Sequence, residues 1–420
     1  MCRTEILAEL SVIIGQEAVS IDEGLTVLIG GLRKLIKSQP GVQITILMAG
    51  GTGSGKTSKG AGTIIQAFPG QVAVFPIDMF YRGKRAIKVL EEQHGLEEIT
   101  WDEPLALDLE EAARQLSHLK KGMEVTIPIY DFELSERVGS ETLSPKPIII
   151  AEGLFALHET LRHLGDLRLY VDVDVHGQII RRVLRDIVRK RRAPDEILLN
   201  MAQVALPKQY EHVTTTRQYA DIFIENDYRP ETETLRNQGI GGPQVKIAGW
   251  PPLGRLIELG AEYLGTFEGY DRYFTANDRD LAATGEELRI REESSRLMLT
   301  YKGPFLGQVG ERFIFTCSIE AATVQALMQY YREALVFVRK ERRLFLLPGV
   351  LVSLDEVTLT NPHGQVVEAQ QVTEVRLTGR SHDGMVEVHD YVERLGLDPK
   401  LSTTASYFSI ALNPQLLPLG

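Results

Sequence analysis

The segment Gly50-Gly51-Thr52-Gly53-Ser54-Gly55-Lys56-Thr57 fits the pattern GxxxxGK[ST]. Its glycines let backbone N–H groups turn toward a polyphosphate, and the helix that follows from Ser58 adds a positive N-terminal end. In such a loop Lys56 reaches the outer phosphates and Thr57 offers its hydroxyl to Mg²⁺. A glycine-rich turn could match the pattern by accident. The apolar run 42–49 ahead of it weighs against that, because strand, loop and helix in this order are the context of a P-loop. Binding of a nucleoside triphosphate, ATP with Mg²⁺, is the expectation.

Two acids stand where they could act on such a ligand. Asp78 closes the run 72–77 and Glu152 closes the run 148–151. A carboxylate beside a triphosphate can take a proton from an attacking hydroxyl or hold the shell of Mg²⁺. Each alone would read equally well as a helix cap or a loop acid. A third group is basic: Arg181, Arg182, Arg185, Arg189, Lys190, Arg191 and Arg192, opposed only by Asp186. Arg181, Arg185, Arg189 and Arg192 share one face of a helix. A solvated face or a nucleic-acid stripe would be the alternatives to a lid that closes over phosphates. In an acidic chain with a P-loop the lid fits better.

The elements that must position these groups follow from pattern. Strand-like runs at 42–49, 71–77, 147–151, 168–174 and 221–224 alternate with helical ones, which predicts an α/β unit, a parallel sheet with helices on both faces. Residues 1–38 read as a helical leader, the first domain as 39–230, a polar Gly- and Pro-rich linker as 231–243, and a second domain as 244–420. The polar stretch itself begins at Asn226. In the second half, β-like segments at 287–291, 296–302, 311–318, 343–347, 350–357 and 365–370 are interrupted by helical stretches near 320–337 and 385–395, which predicts an α+β or barrel unit. At 420 residues two domains are the default. A formal charge of −11 speaks against a protein that wraps nucleic acid. Only Cys2 and Cys317 occur, so a disulfide framework is not expected and a cytoplasmic home is. No apolar run is long enough to span a membrane.

Further segments make the first domain resemble the uridine kinase and phosphoribulokinase family. They are, in order, Pro76–Tyr81, Trp101-Asp102-Glu103-Pro104, Ile127–Phe132, Glu152-Gly153-Leu154, Asp172-Val173-Asp174, Arg181–Asp186 and Gln218–Asp221. The resemblance implies that Asp78 is the base for a nucleoside 5′-hydroxyl, with Lys56 and Arg185 at the transferring phosphoryl group. It implies that Asp102 and Arg182 hold ribose hydroxyls and that Tyr81, Trp101 and Tyr130 frame the base. Thr57 and Glu152 would serve the metal, and Arg185, Lys190 and Arg192 would be lid cations. Two positions depart from the family. Ser135 stands where a base-reading histidine is usual, and Lys190-Arg191-Arg192 replaces Arg-Gly-Arg. The expected partner is a small nucleoside-like molecule, neither nucleic acid nor membrane, with homo-oligomer formation left open.

In the second half, charged residues alternate along strand-like runs: Arg289 and Arg291, Thr300 and Lys302, Lys340 and Arg342. Residues two apart share a strand face, so these line either a solvent face or a charged lumen. Asp271–Phe274, Leu288–Arg291, Leu299–Pro304, Leu354-Asp355, Leu395–Asp398 and Ser406-Tyr407-Phe408 resemble the CYTH, or triphosphate tunnel, superfamily. That resemblance implies a barrel that grips a polyphosphate with Lys246, Arg289, Arg291, Lys302, Lys340 and Arg342, beside carboxylates that bind Mg²⁺ or Mn²⁺. The entry motif Glu-x-Glu-x-Lys is reduced here to Lys246, and the late Glu-x-Glu reads as Glu368-Ala369-Gln370. A binding or regulatory role for this domain is therefore favoured over a second enzyme. For the whole chain the expectation is an ATP-dependent nucleoside 5′-phosphotransferase. A triphosphate or pyrophosphate hydrolase, or a nucleotide-binding regulator without turnover, are the alternatives.

Overall fold

A computed structural model describes residues 18–96, 98–190, 192–226, 240–241, 243–293, 295–305, 312–378 and 384–418. The leader positions 1–17, the proposed linker apart from Ile240, Gly241 and Pro243, then Arg191, and the side chains of Arg189, Lys190 and Glu368 lie outside what is described. The chain divides into two units, Met1–Tyr228 and Arg229–Gly420.

The first unit holds β1 (Val19–Ser20), β2 (Ile44–Gly50), β3 (Val72–Pro76), β4 (Val125–Asp131), β5 (Glu136–Leu143), β6 (Ile148–Glu152), β7 (Leu167–Asp172) and β8 (Ile222–Glu225). Six of these form one sheet in the order β1-β8-β7-β2-β6-β3, every neighbouring pair parallel. Alternation along β2 sends Leu47 and Ala49 to one core and Ile44, Ile46 and Met48 to the other. Helix Leu109–Lys120 covers the first face, while helices Ile21–Ser38 and Gly62–Ala67 cover the second. Both faces are buried, as the unbroken apolar runs require. The P-loop leaves the carboxyl end of central β2, and Asp78 and Glu152 leave the same ends of β3 and β6. This is where an open α/β sheet gathers its ligands. The hairpin β4–β5 was not legible beforehand: β5 is polar and largely exposed, and Pro128 interrupts β4.

Among its described residues the second unit holds one antiparallel sheet of nine strands, with helices Leu253–Glu258, Ala321–Leu327, Gly384–Arg394 and Tyr407–Leu412 beside it. The strands are β9 (Ile240–Gly241), β10 (Gln244–Ala248), β11 (Glu262–Ala276), β12 (Glu287–Glu293), β13 (Arg296–Phe305), β14 (Arg312–Ile319), β15 (Tyr331–Leu347), β16 (Val350–Thr360) and β17 (Val366–Leu377). The order is β10-β17-β16-β15-β11-β12-β13-β14-β9. Two strands consecutive in the chain thus occupy opposite edges. Three Cα steps separate Gly241 from Gln244, at most about 11 Å, so the sheet must curl back on itself. The helical reading of 320–337 is corrected. The helix covers only Ala321–Leu327, and β15 begins at Tyr331, where Val336, Phe337 and Val338 favour a strand. The long strand β11 escaped notice because Gly265 and Gly269 break its apolar alternation; Gly265 takes φ 137° beside a register shift against β15.

Candidate functional site

The phosphate loop is built by positive φ and close approach. Gly50, Gly53 and Gly55 have φ of 152°, 72° and 85°. A Cβ on Gly50 would lie 2.2 Å from the Val171 carbonyl oxygen. Behind the loop the first turn from Lys56 is wide, with the Gly60 N–H donating to the Gly55 carbonyl at 3.0 Å. Such a bulge is frequent at functional sites. Lys56 is buried, its ammonium 3.5 Å from the Gly51 carbonyl oxygen.

Asp78, Lys56, Thr57 and Glu152 meet beside this loop. The Thr57 hydroxyl donates to Glu152 Oε2 at 2.8 Å. Burial raises the Glu152 carboxyl, and so does the charge of Asp78, with Lys56 and Thr57 opposing. Asp78 Oδ1 is buried and has no hydrogen-bond partner. Two neighbouring carboxylates, one raised by the charge of the other, and the Thr57 hydroxyl form an oxygen donor set that fits Mg²⁺.

The expected acceptor residues gather around Tyr81. Burial raises its phenol first, and Asp78, Asp102, Arg182 and Tyr130 are the charged or polar groups that act on it. The Tyr81 ring lies 5.7 Å from Trp101 and 5.3 Å from Tyr130, and the Tyr81 hydroxyl donates to the Trp101 carbonyl at 2.8 Å. Phe132, not singled out from the sequence, completes the box at 5.1 Å from Tyr130. Burial pushes the Tyr130 phenol up to about 12, against the pull of the neighbouring Ser135 hydroxyl. Ser135 itself takes a positive φ of 54°.

The arginines behave as individuals. Arg182 donates to the Thr52 hydroxyl at 2.8 Å and to Asp186 at 2.8 Å, and Arg185 also donates to Asp186 at 2.8 Å. Arg181 reaches the Gly53 carbonyl at 3.1 Å. The helix ends at Lys190, so Arg192 stands beyond it and the stripe on one helical face is shorter than expected. Three further contacts were not anticipated. Gln209 accepts the Thr52 N–H at 3.1 Å, the Asn226 amide donates to the Ser54 carbonyl at 2.6 Å, and Arg137 holds the carbonyls of Phe80 and Tyr81 at 2.8 and 2.7 Å. Asn226 therefore belongs to the loop's support rather than to a polar linker.

In the second unit the alternating bases are interior, not solvent-facing. Strand register sets each of four acids directly across from a base: Asp271 from Arg291, Glu287 from Lys302, Arg342 from Asp355, and Lys246 from Glu374. Lys246 on β10 adds to the depression of the Lys302 ammonium on β13, and the ammonium groups of Lys246 and Lys340 lie 5.2 and 5.4 Å from the Tyr407 ring. The curled sheet thus encloses one charged interior. Burial, which would raise the Asp271 carboxyl, is overcome by Arg289, Lys340 and Arg291, which hold it well below the usual range. Among the described side chains, Glu374 is an interior acid of β17. Glu287 and Glu374 were readable in principle, since each alternates with bases along its own strand.

The phosphoribulokinase / uridine kinase family matches residues 45–233, and the CYTH domain matches residues 253–400. A uridine kinase of Bacillus pumilus is 37% identical over 193 residues, which is 45% of this chain and 88% of that protein. The chain belongs to the phosphoribulokinase / uridine kinase family and carries a CYTH domain after the kinase-type domain. The inorganic pyrophosphatase TTM2 of Arabidopsis thaliana is 26% identical over 396 residues, covering 91% of this chain and 55% of the plant protein. The chain therefore spans about half the length of that relative. A solved structure of a possible uridine kinase from Bacillus stearothermophilus aligns at 24% identity over 48% of this chain and 98% of that one, with a TM-score of 0.30. No helix among the described residues is long and apolar enough to cross a membrane.

Proposed function

We propose that the chain is an ATP-dependent kinase that phosphorylates the 5′-hydroxyl of a nucleoside-like acceptor. The observation that carries the reading is the partnerless buried oxygen of Asp78, between the Lys56–Thr57–Glu152 cluster and the aromatic box of Tyr81, Trp101, Tyr130 and Phe132. In this reading Asp78 takes the acceptor's hydroxyl proton. Lys56 and Arg185 neutralise charge on the phosphoryl group, with Lys190 and Arg192 in the lid and the 50–58 segment cradling the phosphates. Thr57 and Glu152 hold Mg²⁺, which supplies charge neutralisation across the phosphate oxygens. Asp102 and Arg182 orient the sugar. An acceptor without strict pyrimidine identity fits best, because stacking rings are tolerant of the base while a hydrogen-bonding reader enforces it. In the second unit, Lys246, Arg289, Arg291, Lys302, Lys340 and Arg342 bind a phosphorylated ligand.

The test is mass-spectrometric screening of products from ATP and pooled nucleosides and other small alcohols. A phosphorylated nucleoside-like product is expected; turnover confined to ATP hydrolysis would remove the reading. A second reading, phosphohydrolysis of pyrophosphate or triphosphate, is favoured by the plant pyrophosphatase relative, whose likeness extends over 91% of this chain. Phosphate release from tripolyphosphate without an acceptor supports it, and release untouched by Lys302→Ala would exclude the charged interior as its site.

A further inference from the structure

The CYTH likeness brings an expectation of divalent metal on interior carboxylates, and the donor set of this interior does not fit it. Among the described residues four carboxylates face the interior, and each is engaged by bases. Asp271 accepts from Arg289 at 2.9 Å and from Arg291 at 2.6 and 2.8 Å. Asp355 accepts twice from Arg342 at 2.7 Å and once from the Tyr407 hydroxyl at 2.6 Å. Glu287 accepts from Arg312 at 2.8 Å on Oε1, while its Oε2, without a hydrogen bond, lies 3.3 Å from the Lys302 ammonium; Glu374 lies 3.4 Å from Arg342 and 3.5 Å from Lys246. No group of three or more His, Cys, Asp or Glu side chains gathers for a metal among the described residues. A hard dication needs a shell of about six oxygens. Here it would meet guanidinium groups instead.

The bases are in the opposite condition. Three lysines and four arginines face those four carboxylates; Glu293, 3.9 Å from Arg291, adds one acid, which leaves an excess of two positive charges. The ion pairs of Lys246 and Lys340 are 3.5 and 4.0 Å long, beyond good hydrogen-bond distance. Arg289 Nε is buried without a hydrogen bond, although the same guanidinium donates to Asp271. Buried positive charge left without acceptors is costly, so the interior calls for added anionic oxygen.

We infer that this interior binds a phosphate chain directly on its ammonium and guanidinium groups, with no divalent cation bridging. The inference rests on the anion-binding reading given above. Free polyphosphate and the phosphate tail of a nucleotide present the same chemistry. A bridged site takes the metal complex of its ligand, whereas this one takes the bare anion. Mg²⁺ cancels charge on the ligand, so it weakens binding here and would strengthen it at a bridged site.

The test is isothermal titration of the full chain carrying Lys56→Ala, which disables the P-loop, with tripolyphosphate in EDTA and again in excess Mg²⁺. Binding is expected in EDTA, and Mg²⁺ should weaken it by about fivefold or more, the effect of one charge pair at contact in water. Binding that appears or tightens only with Mg²⁺ overturns the inference while leaving the anion-binding reading in place. Heat in neither buffer overturns both. ATP in EDTA separates the sources: affinity within about threefold of tripolyphosphate assigns a nucleotide tail, and no binding assigns free polyphosphate. Lys302→Met should lose about tenfold in the EDTA titration. The comparison of buffers stands whether or not that variant folds.

Discussion

At Asp78 the room for an approaching hydroxyl depends on a missing side chain opposite. A Cβ on Gly153 would lie 2.8 Å from Asp78 Oδ1 and 2.9 Å from the Ile77 Cβ. Gly153→Ala should therefore displace the carboxylate and lower kcat by about 10- to 100-fold, with ATP binding little changed, as steady-state kinetics and titration would reveal. Asp78→Asn removes the proposed proton acceptor while keeping the shape, and should cost about 10²–10⁴ in kcat. Turnover at the unmutated rate would sink the assigned role. Lys56, Thr57, Asp78 and Glu152 were legible because strand ends fix where such residues go. Gln209, Asn226 and Arg137 were not. They reach the loop and the Tyr81 turn from far along the chain, and no local spacing announces that meeting.

Register is the decisive property at the scale of elements. In the second unit a slip of one residue between β15 and β16 would send Arg342 and Asp355 to opposite faces. The two-residue alternation of Arg289, Arg291, Lys302, Lys340 and Arg342 was readable in the sequence, but whether it faced solvent was decided only by the curl of the sheet. The helix expected through 337 failed for a related reason: a window that includes Ala321–Leu327 hides the switch to a period of two. In the first unit the β4–β5 hairpin delivers Arg137 to two backbone carbonyls. Arg137→Met should lower that unit's stability by about 1–3 kcal/mol in denaturant titration and raise the acceptor KM. On β13, burial pushes the Lys302 ammonium down to about 8; Glu287 on β12 opposes this, while Arg289 on β12, Arg312 on β14 and Lys246 on β10 add to it. Polyphosphate affinity should fall as pH rises past about 8, and the Lys302→Met variant should lack that step in titrations at several pH values. The ligand-free fold moves the other way. Its lysine is less protonated than the unfolded one between about 8 and 10, so stability from this group rises with pH there.

The whole molecule has separate cores. The sheet of the first unit is packed by Leu47, Phe75 and Phe155 on one face and Leu28, Ile46 and Leu169 on the other, while the second unit buries Val245, Leu354 and Val388 in one cluster and Tyr273, Val338 and Phe408 in another. Two thermal transitions are expected. ATP with Mg²⁺ at about 100 times its Kd should raise one by about 5–10 °C, and tripolyphosphate in EDTA should raise the other. Loss of the first shift in Lys56→Ala would tie it to the P-loop, and a single transition moved by both ligands would refute the separation. The placing of β9 and β10 on opposite edges also governs how the second unit is made. Gln244 pairs with Arg376, and its strand leaves the ribosome long before that partner exists. At about 5–20 residues per second the wait is about 7–26 s. Lys246 waits longer still for its backbone partner Thr403, so the charged interior closes only through pairings that span most of the length of the domain.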